Sequence, residues 1–225
     1  MNRGEIRTRI LNALNESASA PVFWTTAQMS QAIADGMDLL AEEAQQVKRT
    51  AICALQPGSQ YYSTRGIALD LMIPTRIWVP SLNRRLTVTT VGQLDAYHER
   101  WQTVTGDPQY WFPMGWDWFG IFPHPSTGGG TMRVDYLAWP RPLLDDGDEP
   151  ELYGADHDGL VLYGIYEGLL KRWDAQGALI RFVEFLEHYG LARARGGSRQ
   201  LQARTWQKSS AVGNGLQNGN LGSRY

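Results

Sequence analysis

One cysteine, Cys53, stands in 225 residues. That excludes an intramolecular disulfide and fits synthesis in a reducing compartment. No run approaches the roughly 18 apolar residues of a membrane-spanning helix, and the first residues carry no apolar signal core. The expectation is a soluble protein assembled inside a cell. Catalytic signatures are equally scarce. Gly128-Gly129-Gly130 is followed by Thr131-Met132, without the Lys and Ser/Thr of a phosphate loop, and no Gly-x-Ser-x-Gly elbow occurs. His98, His124, His157, His188 and Cys53 show no zinc-ligand spacing. Asp145, Asp146, Asp148, Glu149 and Glu151 cluster around Pro150, but without the ligand alternation of a calcium loop, and read as a solvated acidic loop. His157, between Asp156 and Asp158, reads as part of a helix start. No residue is assigned to catalysis, cofactor binding or metal binding.

Acidic residues are also missing from the end of the chain. After Glu187 come Arg193, Arg195, Arg199, Arg204, Lys208 and Arg224, with no Asp or Glu. The overall charge of −2 therefore hides a body of about −8 and a basic tail, a division that suggests the tail meets something acidic. From residue 191 hydrophobic periodicity stops, and residues 196–225 are mostly Gly, Ser, Asn, Gln and Arg. Such composition buries too little apolar surface to form a core of its own. Residues 191–225 are expected to be an extended docking arm, with Arg199, Leu201, Arg204, Trp206, Lys208, Leu216 and Tyr225 as its contacts.

Residues 1–190 read as an α+β body. A first helix over about 3–14 presents Ile6, Ile10 and Leu14 on one face, with Asn2 and Glu5 placed for a capping box. A second, over about 26–49, has Thr25 and Gln28 as a capping box and Trp24 and Met29 as a staple. Its apolar stripe runs Met29, Ile33, Met37, Leu40, Ala44 and Val47. Gln60–Tyr62, Gly66–Ile73, Ile77–Pro80 and Arg85–Val91 have strand composition, and Gln93–Thr103 reads as a short helix with Leu94, Tyr97 and Trp101 on one side. A third helix, over about 156–173, is expected to be capped by Asp156. Its Gly159, Gly164 and Gly168 each cost about 1 kcal/mol of helix propensity relative to Ala, which implies close approach of another element. A fourth, over about 174–189, carries Leu179, Ile180, Val183, Leu186 and Tyr189 and forms an antiparallel hairpin with the third. The fold expected is a bundle of about four main helices with a β-rich hairpin or sandwich insertion over about 60–140.

Aromatic residues are concentrated rather than scarce. Eleven of 25, including five of nine tryptophans, fall between Tyr97 and Trp139. Residues 116–122 and 131–139, bounded by Gly/Pro punctuation, read as a heavy β-hairpin. In the second run Met132, Val134, Tyr136 and Ala138 share one face, and Arg133, Asp135 and Leu137 the other. Each buried ring removes roughly 150–250 Å² from water, so such a hairpin needs a partner surface. Trp111, Trp116, Trp118, Phe119 and Phe122 are the candidates for a contact with a neighbouring subunit or a tail component.

The order of these features, a tryptophan, Gly106-x-Pro108, an aromatic run, Phe122-Pro123-x-Pro125, a glycine turn and Tyr136-x-x-x-Pro140, resembles the head-to-tail adaptor proteins of tailed bacteriophages over roughly residues 3–190. An acidic, Pro-containing linker and a helix come after the strand pair there too. The resemblance implies a structural virion protein at the neck, assembled in the host cytoplasm. It would form a homo-oligomeric ring of about twelve copies under the portal protein. The ring would extend a channel that genomic DNA crosses without specific binding, and present a docking surface for a tail, nozzle or stopper protein. Two other classes compete. One is a carbohydrate- or cell-surface-binding module that uses Trp111, Trp116 and Trp118 as stacking platforms. The other is a nucleic-acid-binding protein that uses the basic tail, in which six cations are diluted over 33 residues.

Overall fold

The computed structural model describes residues 1–190, except 18, 20, 98 and 127–129, together with residue 194. In chain order its elements are α1 (Arg3–Ala13), α2 (Thr26–Ala44), β1 (Lys48–Ala54), β2 (Tyr61–Ser63), α3 (Thr64–Ile67) and β3 (Leu71–Val79). Next come β4 (Arg84–Arg85), β5 (Thr87–Val88), α4 (Val91–Tyr97), β6 (Tyr110–Met114), β7 (Trp118–Phe122), β8 (Thr131–Ala138), α5 (His157–Lys171) and α6 (175–190). The fold is α+β. It divides into a helical unit, Met1–Gln46 with the chain from Pro142 onward, and a β unit, Val47–Arg141.

The helical unit packs α1, α2, α5 and α6 around Ile6, Ile10, Met29, Ile33, Met37, Leu40, Leu160 and Phe185. Both expected capping boxes form: Asn2 with Glu5 starts α1 and Thr25 with Gln28 starts α2. The glycines of α5 are seats for side chains. A Cβ at Gly164 would lie 2.3 Å from Ile10 Cδ1, and one at Gly168 2.5 Å from Leu14 Cδ1. Because Ile10 and Leu14 advance together with Gly164 and Gly168, α1 and α5 run parallel where they touch. α6 returns antiparallel to α5, with Tyr163 against Phe185 (ring centroids 5.1 Å apart) and Tyr166 against Phe182 (4.8 Å).

Three expectations for the helical unit need correction. The second helix stops at Gln45, whose left-handed backbone (φ 49°) ends it, and Lys48 opens a strand instead of a last turn. Asp156 does not cap α5: it is fully buried and accepts a hydrogen bond from Gln46 Nε2 at 2.8 Å. On α6 the inward residues are Ala178, Phe182, Phe185 and Tyr189, whereas Leu179, Ile180, Val183 and Leu186 face outward. Asp174 does act as the cap of this helix, accepting from Gly177 N at 2.9 Å.

In the β unit two four-stranded sheets, ordered β1-β8-β3-β4 and β2-β7-β6-β5, enclose a core of Ile77, Val79, Trp111, Phe119, Ile121 and Val134. Of the alternation read in residues 131–138, Met132, Val134, Tyr136 and Ala138 are buried as expected, but Leu137 on the other face is buried as well. The expected hairpin of 116–122 with 131–139 does not form. β7 pairs with β6 and β2, and β8 pairs with β1 and β3 in the other sheet. Proximity in sequence gave way to the demand that each run bury its apolar face against the opposite sheet. The real hairpin is β6–β7, turning at Gly115 (φ 65°). β3 is one strand through Pro74, which sits at a register shift where the ladder is already interrupted. Residues 66–67 belong to α3, and Val91 opens α4 rather than ending a strand. The helix expected over 93–103 is broken into α4 and a single 3₁₀ turn at Trp101–Thr103, leaving Tyr97 exposed.

The second sheet is covered on both faces, which accounts for the density of rings. Phe119 and Ile121 face the sandwich core, while Phe112 and Phe122 face outward beneath Trp101 and Leu94. Trp101 meets Phe112 and Phe122 edge-on at 5.3 and 6.0 Å and donates its indole N–H to Asp95 at 2.7 Å. Phe112 lies across Gly120, its cross-strand partner; a Cβ there would fall 2.1 Å from the ring.

Candidate functional site

Two of the exposed rings, Trp116 and Trp118, lie together at the β6–β7 turn. Gly115 supplies the positive φ, and the turn is latched to α3 by three bonds. Thr64 N donates to Asp117 O (2.8 Å), Thr64 Oγ1 to Trp116 O (3.4 Å), and Arg65 Nε to Asp117 Oδ1 (3.1 Å). Thus held, Trp116 is 73% exposed and Trp118 50%. The two rings border a cleft of about 300 Å³ whose other walls are Met72, Ile73, Pro74 and Trp111. Trp116 also lines a second cleft of about 370 Å³, together with Arg65, Leu69, Asp117 and Trp139. Leu69 is 91% exposed. Contiguous exposed apolar surface of this kind marks contact sites more often than free solvent-facing surface.

The five hairpin candidates therefore part company. Trp116 and Trp118 are presented to solvent, whereas Trp111, Phe119 and Phe122 are core rings at 6%, 0% and 5% exposure. Alternation alone separates Phe119 from Trp118. It does not tell that the far face of this sheet is also covered, which is what buries Phe122. The arm residues Arg199, Leu201, Arg204, Trp206, Lys208, Leu216 and Tyr225 lie outside the described residues.

Sequence reasoning missed a second apolar surface. Leu179, Ile180, Val183 and Leu186 form an outward stripe on α6, and Trp173, at the α5–α6 turn, is 93% exposed with φ 62°. The signal was present: residues 178–189 carry apolar side chains on two faces rather than one.

Several titratable groups are employed structurally. Asp146 takes bidentate hydrogen bonds from Arg7 (2.7 and 2.6 Å) and further ones from Arg3 (3.2 and 3.0 Å), and these guanidinium groups lower its pKa. Asp148 Oδ2 accepts from Asp145 N and Leu144 N, which hold its carboxyl below the usual range. Two members of the acidic loop thus tie the chain down instead of standing free. His157 Nδ1 lies 2.9 Å from the Met1 amino group; burial and that charge lower its pKa. Burial alone pushes the Cys53 thiol up to about 11, far from a reactive thiolate. Among the described residues no group of His, Cys, Asp and Glu is arranged to hold a metal ion, and no helix is long and apolar enough to cross a membrane.

The described residues thus present two exposed apolar surfaces, at the β6–β7 turn and on α6. Residues 1–213 match the SU10 adaptor protein family, and the chain belongs to that family. No curated protein matches the chain.

Proposed function

We propose that this SU10-family phage adaptor, a structural protein, acts as the subunit of a ring in the virion neck. In this reading the ring sits under the portal, with about twelve copies, and extends the DNA channel toward the tail. The family match over residues 1–213 carries the reading, and the exposed Trp116 and Trp118 support it, since a subunit of an assembly has somewhere to bury them. Trp116, Trp118 and the clefts beside them meet a neighbouring subunit or a tail component. Residues 191–225 grip the portal, with Arg199, Leu201, Arg204, Trp206, Lys208, Leu216 and Tyr225 as contacts. The apolar stripe of α6 supplies further contact area. Genomic DNA passes without specific binding, and the protein performs no catalysis.

The test is the particle mass of the full chain, alone and mixed with portal. A closed ring, formed alone or on the portal, is the expected result. A monomer under both conditions would reject the reading.

A further inference from the structure

Charge is divided between the two units. Val47–Arg141 carries nine Lys/Arg and six Asp/Glu, whereas residues 1–46 and 142–190 carry six and seventeen. On the β unit the excess has a definite place. Ile77 and Val79 are fully buried, so Trp78 between them faces away from the sandwich core. Its register partners are Arg133 on β8 and Arg85 on β4. Arg76 lies on the same surface, its guanidinium 5.9 Å from the Trp78 ring. The acid on this surface is Asp135, already shared between Arg133 (3.2 Å) and Arg76 (3.8 Å). Arg85 has no ion pair among the described residues. Two strand spacings separate Arg133 from Arg85, about 10 Å.

The helical unit carries a counterpart. Asp35, Asp38 and Glu42 fall within one face of α2 and are exposed. None has an ion pair among the described residues; Asp35 accepts only from Gln31 Nε2, at 2.7 Å. At 1.5 Å rise per residue the stripe from Asp35 to Glu42 is about 10 Å long. Partial burial and then the neighbouring Asp35 carboxylate raise the pKa of Asp38, the behaviour of an acid lacking a counter-charge. Leu39 stands exposed beside the stripe, an apolar neighbour to match Trp78. Two surfaces of opposite sign and similar length, the first with one acid among three arginines and the second with three carboxylates and no counter-charge among the described residues, are complementary, and unlike faces joined between copies propagate head to tail into a ring when the rotation closes.

We infer that the Arg76–Trp78–Arg85–Arg133 face of one copy seats the Asp35–Asp38–Glu42 stripe of a second copy. This contact rests on the ring proposed above and gives it a polarity and a charge-based register. Electrostatic complementarity of this kind fixes orientation and suppresses wrong pairings more than it adds affinity.

The test uses two charge-reversed full-length chains, Arg85→Glu/Arg133→Glu and Asp38→Lys/Glu42→Lys, with folding of each checked by circular dichroism. Particle mass is measured for the parent, for each variant and for their equimolar mixture, alone and with portal. Each variant is expected to raise the concentration needed for assembly by about tenfold or more, equivalent to about 1.4 kcal/mol. The mixture is expected to restore assembly, because an acidic β face then meets a basic α2 stripe on the other chain, and the reverse. Rescue by mixing identifies a contact between copies, since it changes nothing within a chain. If the parent forms rings and both variants form them equally well, this contact is wrong and the ring reading survives. Should the parent form no ring under either condition, the ring reading fails and takes the contact with it. A variant that assembles normally but loses retention of duplex DNA in a gel shift would make the basic face a nucleic-acid surface and overturn the assignment.

Discussion

Ile10 is seated on Gly164: a Cβ at that glycine would come within 2.3 Å of Ile10 Cδ1 and 3.0 Å of Cγ1. Four residues on, Leu14 repeats the contact on Gly168 at 2.5 Å. Ile10 is fully buried, so its terminal methyl has no free space to swing into. Gly164→Ala is therefore expected to destabilise the protein by up to about 2 kcal/mol. Overpacking costs about 1–3 kcal/mol, offset by a helix-propensity gain of about 1 kcal/mol. Ile10→Val removes the clashing methyl and alone costs about 0.5–1.5 kcal/mol. The double variant should be more stable than the sum of the two single changes implies. Urea unfolding of all four proteins checks this, and strict additivity would show that the glycine is not a seat for Ile10.

Trp116→Ala and Phe119→Ala should behave oppositely although both change a ring of the same aromatic run. Trp116 is 73% exposed and Phe119 0%. Phe119→Ala is expected to cost about 3–5 kcal/mol, and Trp116→Ala to stay within about 0.5 kcal/mol of the parent while weakening assembly or tail addition. Thermal unfolding alongside particle mass separates the two effects. Loss of stability in Trp116→Ala with assembly intact would remove this ring from the contact surface.

Asp70 gives the β unit a predictable acid response. Burial pushes its carboxyl up, but hydrogen bonds from Arg49 and Tyr136 Oη (3.1 Å) outweigh burial and leave its pKa below the ordinary value. A depressed carboxylate contributes stability above its unfolded pKa of about 3.9, and that contribution disappears as pH falls through the folded value. Asp70→Asn should therefore lower the melting temperature near pH 7, with the difference from the parent narrowing below about pH 4. A constant difference from pH 3 to 7 would show that the loss is one of packing rather than charge.

Truncation after Gly196 should abolish addition of the adaptor to portal-filled heads while leaving the helical and β units folded. Trp206→Ala should weaken addition by about 2 kcal/mol or more, as expected of an aromatic anchor with Arg204 and Lys208 beside it. Binding of each protein to purified portal, together with circular dichroism of the truncated chain, measures both parts. Unchanged affinity in the truncated chain would move portal binding to the surfaces of residues 1–190.

By itself the sequence determined the features that local chemistry dictates. Asn2 with Glu5 and Thr25 with Gln28 specify helix starts because each pair satisfies backbone donors within one turn. Gly164 and Gly168 announced a close helix contact because glycine there costs propensity that only packing repays. Alternation in Met132, Val134, Tyr136 and Ala138 named the buried face of β8. Tertiary structure alone decided the partners. Period-two alternation says which residues share a face, not which strand lies alongside, so β7 and β8 entered different sheets despite being neighbours in the chain. On α6 both faces are apolar, and the period does not choose between them. Packing of Phe182 and Phe185 against Tyr166 and Tyr163 turned one face inward and left Leu179, Ile180, Val183 and Leu186 to solvent. The charged contact faces were illegible for the same reason: Trp78, Arg85 and Arg133 are separated by up to 55 residues, and only the register of β3 with β4 and β8 sets them side by side.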